Sequence, residues 1–87
     1  MSGVREIWGY IISRRPKTFG LEIQISYKGT NQWVRAKGDN RRMLEELHLP
    51  GKWISCKGYW NTLPSVNSYL LMTEFEFLNE VQASQLK

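Results

Sequence analysis

The residues of this chain best equipped for chemistry are aromatic rings and cations set two apart. Trp33, Arg35 and Lys37 alternate with Val34 and Ala36, and Trp53, Lys57 and Tyr59 alternate with Ile54, Cys56 and Gly58, with Trp60 following directly. Trp8 and Tyr10 stand at the same spacing near the start, shortly before Arg14, Arg15 and Lys17. On an extended strand, side chains two apart emerge on one face. Each set therefore puts rings and positive charges on a common wet surface. Unpaired bases stack on aromatic planes, at about 1–3 kcal/mol per base, while lysine and arginine neutralise the passing phosphates. A duplex hides its base faces and has little use for rings, so the chemistry suits a single strand.

Each residue also has a plainer use. Trp8 and Tyr10 fit equally well beneath a helix or in a contact with a second copy, since aromatics anchor interfaces. Trp53 follows the Gly51-Lys52 turn and could cover a barrel end. Tyr59 and Trp60 lead into a long loop, and Arg14, Arg15 and Lys17 fall in the expected first interstrand loop, both of which carry ligand contacts in small barrels. Trp33 beside Arg35 and Lys37 is the principal ligand candidate.

Positioning such a surface requires strands, and the hydrophobic pattern supplies five. Arg5–Ser13 is β-branched and aromatic, with Ile7, Gly9 and Ile11 facing opposite Trp8, Tyr10 and Ile12. In Phe19–Tyr27, Phe19, Leu21, Ile23 and Ile25 point inward and Glu22, Gln24 and Ser26 outward. Lys28-Gly29-Thr30-Asn31 signals a turn into Gln32–Lys37. Gly38-Asp39-Asn40 breaks the pattern and offers Asp39 or Asn40 as N-cap to a helix over Arg41–Leu49, with Leu44 and Leu47 on its apolar side and Pro50-Gly51 as its stop. At this start Arg41 and Arg42 would oppose the helix dipole. Lys52–Trp60 is the fourth strand, Asn61–Asn67 a loop, and Ser68–Leu78 the fifth strand, with Leu71, Thr73, Phe75 and Phe77 as its expected inner face. Residues 1–79 form one domain, and the polar tail 80–87 is expected to fray. The order β-β-β-α-β-β is that of the OB-fold, a partly open five-stranded Greek-key barrel.

Composition agrees. The 87 residues make one domain, which buries roughly 60–65% of its unfolded surface. Four Trp, four Tyr and three Phe exceed the needs of so thin a core. The net charge is +4, and it is uneven: residues 13–60 hold ten basic against four acidic side chains. Such a field attracts polyanions. The lone Cys56 excludes an intrachain disulfide and a cysteine-based metal cluster, and His48 has no second histidine to join in a metal or hydrolase site. With no paired carboxylates, nucleophile–base pair or phosphate-binding glycine loop, no enzymatic activity, metal or cofactor is expected. No apolar run approaches a membrane span and Met1–Ser13 lacks a signal-peptide core, so the expected location is cytoplasmic.

Three stretches, IWGYIISRRP, NQWVRAKGDNRRMLEEL and PGKWISCKGYW, resemble the bacterial single-stranded DNA-binding proteins and their relatives, the primosomal PriB proteins. In those families a glycine in the first strand precedes a basic loop, a Trp-basic pair marks the third strand, and a G-x-x-[IV]-x-[VI]-x-G run opens the fourth. Gly51–Gly58 follows that run, with Cys56 in place of the usual Val or Ile. The resemblance implies an OB-fold, oligomerisation through strands, and stacking on Trp33 helped by Arg35 and Lys37. The chain lacks the acidic C-terminal tail of the full-length binding proteins, and its Lys28–Gln32 hairpin is shorter than theirs, so a compact accessory binder is expected. The expectation is a sequence-tolerant single-stranded DNA binder acting in replication, recombination or on a mobile element, as a homodimer or larger homo-oligomer. An RNA-binding module and a protein–protein adaptor using Trp8, Tyr10 and Trp53 remain the alternatives.

Overall fold

A computed structural model describes residues 4–61 and 68–85; most of the expected loop Asn61–Asn67 lies outside them. The elements run β1 (Arg5–Lys17), β2 (Gly20–Tyr27), β3 (Thr30–Ala36), α1 (Gly38–Glu45), β4 (Trp53–Asn61), β5 (Tyr69–Leu78) and α2 (Glu80–Gln85). The strands close into a barrel in the order β1-β2-β3-β5-β4, with β4 returning to β1. All neighbours are antiparallel except β3 and β5, whose seam is the parallel pairing of Trp33, Val34 and Arg35 with Tyr69, Leu70 and Leu71.

β1 is long enough to serve two partners. Arg5–Tyr10 pairs with β4, and Tyr10–Lys17 pairs with β2. The strand bends between these halves, where Ile12 is inserted as a bulge. Gly9 lies at the bend, and a Cβ there would overlap the Ser26 carbonyl oxygen. Arg14, Arg15 and Lys17, expected in a loop, are strand residues, because pairing with β2 carries β1 through Pro16. The loop shrinks to Thr18 and Phe19. The β2–β3 turn likewise shortens to Lys28 and Gly29, both at positive φ (49° and 80°), the backbone of a two-residue hairpin.

Ile7, Ile11, Leu21, Ile23, Ile25, Val34, Ala36, Ile54 and Cys56 fill the barrel as their alternation predicts. Phe19 does not join them; it lies just before β2, nearly half exposed. In β5 only Phe75 of the expected inner face packs against the core. Phe75 lies opposite Cys56 and packs against the core, and Phe77 pairs with Ile54 but stays exposed. Before them, Leu70 and Met72 are buried instead of Leu71 and Thr73. A bulge is the cause: Lys57 pairs with Glu74 and Gly58 with Met72, so Thr73 has no opposite residue and the alternation changes phase. The bulge is tied on two sides. Thr73 Oγ1 donates to the Lys57 carbonyl at 3.2 Å, and Asn40 Nδ2 donates to the Thr73 carbonyl at 3.1 Å.

The helix starts three residues earlier than expected and ends at Glu45. Lys37 is its N-cap in place of the expected Asp39 or Asn40, which lie inside the first turn. It makes no side-chain cap, because an ammonium has no acceptor; Asn40 is engaged with β5. The shift removes the unfavourable charge at the helix start and puts Arg42 in the last turn, where the dipole favours it. Beyond the helix, Leu49 joins Leu44 in the core while Leu47 is exposed. That connection is stitched to β1, with Gly51 N donating to Ile11 O (2.7 Å) and Ile11 N to Lys52 O (2.8 Å). Residues 80–85, expected to fray, form a helix. Asn79 and Gln82 exchange backbone-to-side-chain bonds of 2.9 and 2.8 Å, a reciprocal cap that starts α2 and lets Ala83 become buried. Among the described residues, no helix is long and apolar enough to cross a membrane.

Candidate nucleic-acid interface

Strand register assembles the outer surface of β1, β2 and β3 in tiers. Tyr10, Ser26 and Asn31 form one tier, and Ser13, Gln24 and Trp33 the next. Arg15, Glu22 and Arg35 form the third. Below it Lys17 lies opposite Gly20. A Cβ on Gly20 would meet the Ala36 carbonyl oxygen at 2.8 Å, and the aliphatic stems of Lys37 and Arg35 come within 3.3 and 3.4 Å of that point. The tiers continue across the parallel seam, since Trp33 pairs with Tyr69 and Arg35 with Leu71, and Tyr69 and Leu71 lie opposite Asn61 and Tyr59 of β4.

The centre of this wall is a stacked and ion-paired cluster. The Arg15 guanidinium lies 4.2 Å from the centre of the half-buried Trp33 ring. Arg35 is sandwiched between Phe19 at 4.1 Å and Tyr69 at 3.9 Å. Each contact is a cation–π interaction, strongest where water is excluded. Glu22 joins the two arginines, accepting from Arg15 at 3.1 and 3.3 Å and from Arg35 at 3.2 Å. Asn61 Nδ2 donates to the Tyr69 hydroxyl at 2.8 Å, holding that ring from the far side.

Further along β1, Trp8 meets Tyr27 edge-on at 5.0 Å, with the Lys28 ammonium 5.4 Å from one ring centre and 5.3 Å from the other. Tyr10 meets Trp53 edge-on at 5.6 Å. The barrel thus brings Trp33, Arg35, Lys37, Arg15 and Lys17 together, extends them through Tyr10 and Trp8, and sets the exposed Tyr59 on the opposite flank.

Four expected site residues lie otherwise. Trp53 stands beside Tyr10, on the β4 side of β1. Arg14 turns to α1 and donates to the carbonyls of Glu45 (3.0 Å) and Leu47 (3.1 Å). Trp60 packs against the core. Lys57 faces Glu6 at 3.8 Å, in a groove of about 340 Å³ that Glu74 and Glu76 also line.

Sequence reading missed Phe19, Tyr69, Glu22 and Lys28. Lys28 was detectable, as a cation directly after an aromatic in a turn. The other three depend on long-range pairing. Cys56 is no candidate nucleophile, because burial pushes its thiol up to about 12. Among the described residues, no group of three or more metal-ligating side chains gathers.

No protein-family model matches the chain, and no curated protein does. Solved structures do. In the crystal structure of the S. pombe Stn1–Ten1 complex, one chain superposes on all of this chain and 68% of its own length, with a TM-score of 0.81 and 18% identity. The S. cerevisiae mitochondrial single-stranded DNA binding protein Rim1 matches 90% of this chain and 94% of its own, with a TM-score of 0.70 and 16% identity. At such identities the likeness concerns the backbone, and it shows that the chain has the OB-fold.

Proposed function

We propose that this chain binds single-stranded DNA without marked sequence preference, stacking bases on Trp33 and neighbouring rings and neutralising phosphates with Arg15, Lys17, Arg35 and Lys37. The observation that carries this reading is the juxtaposition on one outer wall of the Trp33 indole, the Arg15 guanidinium 4.2 Å from its centre, and three further cations. An OB barrel binds oligonucleotides through its strand 2–3 face and adjoining loops, which is where this wall lies. Two of the solved structures that share the barrel bear on this: one is described as a mitochondrial single-stranded DNA binding protein, the other as the Stn1–Ten1 complex. The wall makes no base-edge code evident, so binding follows stacking and charge.

Within that reading the chain is a binder of the bacterial single-stranded DNA-binding and PriB type, working in replication, recombination or on a mobile element. The Tyr10–Trp53 pair, at the edge of the wall where β1 meets β4, supports assembly with a second copy of the chain. The same pair favours the second reading, a protein–protein adaptor.

Tryptophan fluorescence titrated with oligo(dT), oligo(U) and duplex at two salt concentrations tests the proposal. Oligo(dT) is expected to quench emission, with affinity falling as salt rises, by a log–log slope of about 0.7 per phosphate neutralised. Trp33→Ala removes most of the quench and weakens binding by roughly five- to a hundredfold, the worth of one stacked base. A parent protein that shows no salt-sensitive response to any oligonucleotide is an adaptor. A Trp33→Ala variant that binds and quenches like the parent moves the site elsewhere. Equal affinity for oligo(U) extends the function to RNA.

A further inference from the structure

We infer that Glu22 is a tether built into the binding wall, and that a single strand binds by taking Arg15 away from it. This rests on the single-strand reading above and concerns how the same site is regulated.

Glu22 lies on the outward face of β2, yet it is only 8% exposed, because two arginines cover it. Its Oε1 accepts from Arg15 Nε and Nη2, and its Oε2 accepts from Arg35 Nη2. A carboxylate here opposes the function of the wall, since it repels phosphates and half-satisfies the cations that should meet them. Its two partners differ. Arg35 is wedged between the Phe19 and Tyr69 rings, its side chain is 17% exposed, and its buried Nε has no acceptor. It cannot leave without opening the ring sandwich. Arg15 is 53% exposed and covers Trp33 while it holds Glu22.

A base stacking on the covered face of Trp33 needs the space that the Arg15 guanidinium occupies. Release of Arg15 from Oε1, exposure of the indole and arrival of the base are therefore one event. The freed guanidinium turns its donors to a phosphate of the same strand, while Arg35 stays on Oε2 and keeps the buried carboxylate paired. No covalent bond changes. The wall opens for a ligand that brings a ring and a phosphate together, and Glu22 sets its affinity below what the rings and cations alone would give.

The test compares the parent, Glu22→Gln, Arg15→Gln and the double variant, each checked for folding by near-ultraviolet circular dichroism and titrated with oligo(dT) across a salt series. Glu22→Gln is expected to bind about three- to tenfold more tightly, because Arg15 no longer has to be won from a charge. In the Arg15→Gln background the same change gains at most about twofold, since no tethered group remains to be released. Arg15→Gln alone lowers the salt slope by about 0.7, the share of one phosphate. A folded Glu22→Gln protein that binds no more tightly than the parent overturns the tether, and so does a gain that persists undiminished without Arg15. If Glu22→Gln does not fold, the Arg15→Gln slope decides: a drop supports transfer to phosphate, and an unchanged slope overturns it. Absence of oligo(dT) binding by the parent removes the single-strand reading itself, a result distinct from a failed comparison among variants.

Discussion

Gly9 and Gly58 show how one missing side chain permits a small barrel. A Cβ on Gly9 would overlap the Ser26 carbonyl oxygen, and one on Gly58 would overlap that of Leu71. Both obstacles are backbone, which cannot step aside as a flexible side chain can. Gly9→Ala is therefore expected to cost about 3 kcal/mol, at the upper end for overpacking, read as a lower urea midpoint. Cys56 gives a pH signature. Burial holds its thiol protonated up to about 12, against an ordinary value of 9.0, so over that window the native chain binds more protons than the unfolded one. Stability falls as pH rises in that sense. The Cys56 contribution is full below about pH 9 and is lost as pH rises towards 12. Iodoacetamide at neutral pH is expected to label Cys56 only after denaturant is added, followed by mass; labelling of the folded protein would mean the barrel opens there.

Two local devices hold the helices, and both are testable by substitution. Arg14 closes the end of α1 by donating to the carbonyl of Glu45, its last residue, and to that of Leu47 just beyond it. Arg14→Ala is expected to lower stability by about 1–2 kcal/mol, measured by denaturant unfolding. At α2 the Asn79–Gln82 reciprocal cap starts a six-residue helix that could not persist alone. Asn79→Ala should cost about 1 kcal/mol locally and speed amide exchange in residues 82–85, while the barrel strands keep their protection. Exchange unchanged at these amides would show that burial of Ala83, not the cap, holds the helix.

Among the described residues, positive charge gathers on one wall and carboxylates around Lys57. Arg15, Lys17, Lys28, Arg35 and Lys37 line or border the wall of β1–β3, while Glu6, Glu74 and Glu76 surround Lys57 on the far side, next to α2. An approaching polyanion is therefore steered to one side of the barrel. Lys37→Glu is expected to weaken oligo(dT) binding severalfold more than Lys57→Glu and to lower the salt slope more, as salt-series titrations would show. Equal effects of the two reversals would mean that net charge, not its placement, governs binding.

The sequence by itself determined the succession of elements, the presence of a helix between the third and fourth strands, most inward-facing residues and the shared face of Trp33 and Arg35. These follow from period-two alternation and from turn and breaker residues, which are local signals. The reciprocal Asn79–Gln82 cap is equally local, and could have been read as a helix start. Only the tertiary structure decided which candidates share a wall. The bulge at Thr73 reverses the faces of half of β5, and extended pairing with β2 turns a supposed basic loop into strand, sending Arg15 to Trp33 and Arg14 to α1. The burial of Glu22 and the clamping of Arg35 by Phe19 and Tyr69 likewise depend on strands far apart in the chain. Register between such strands is a property of the closed barrel, and no stretch of neighbouring residues encodes it.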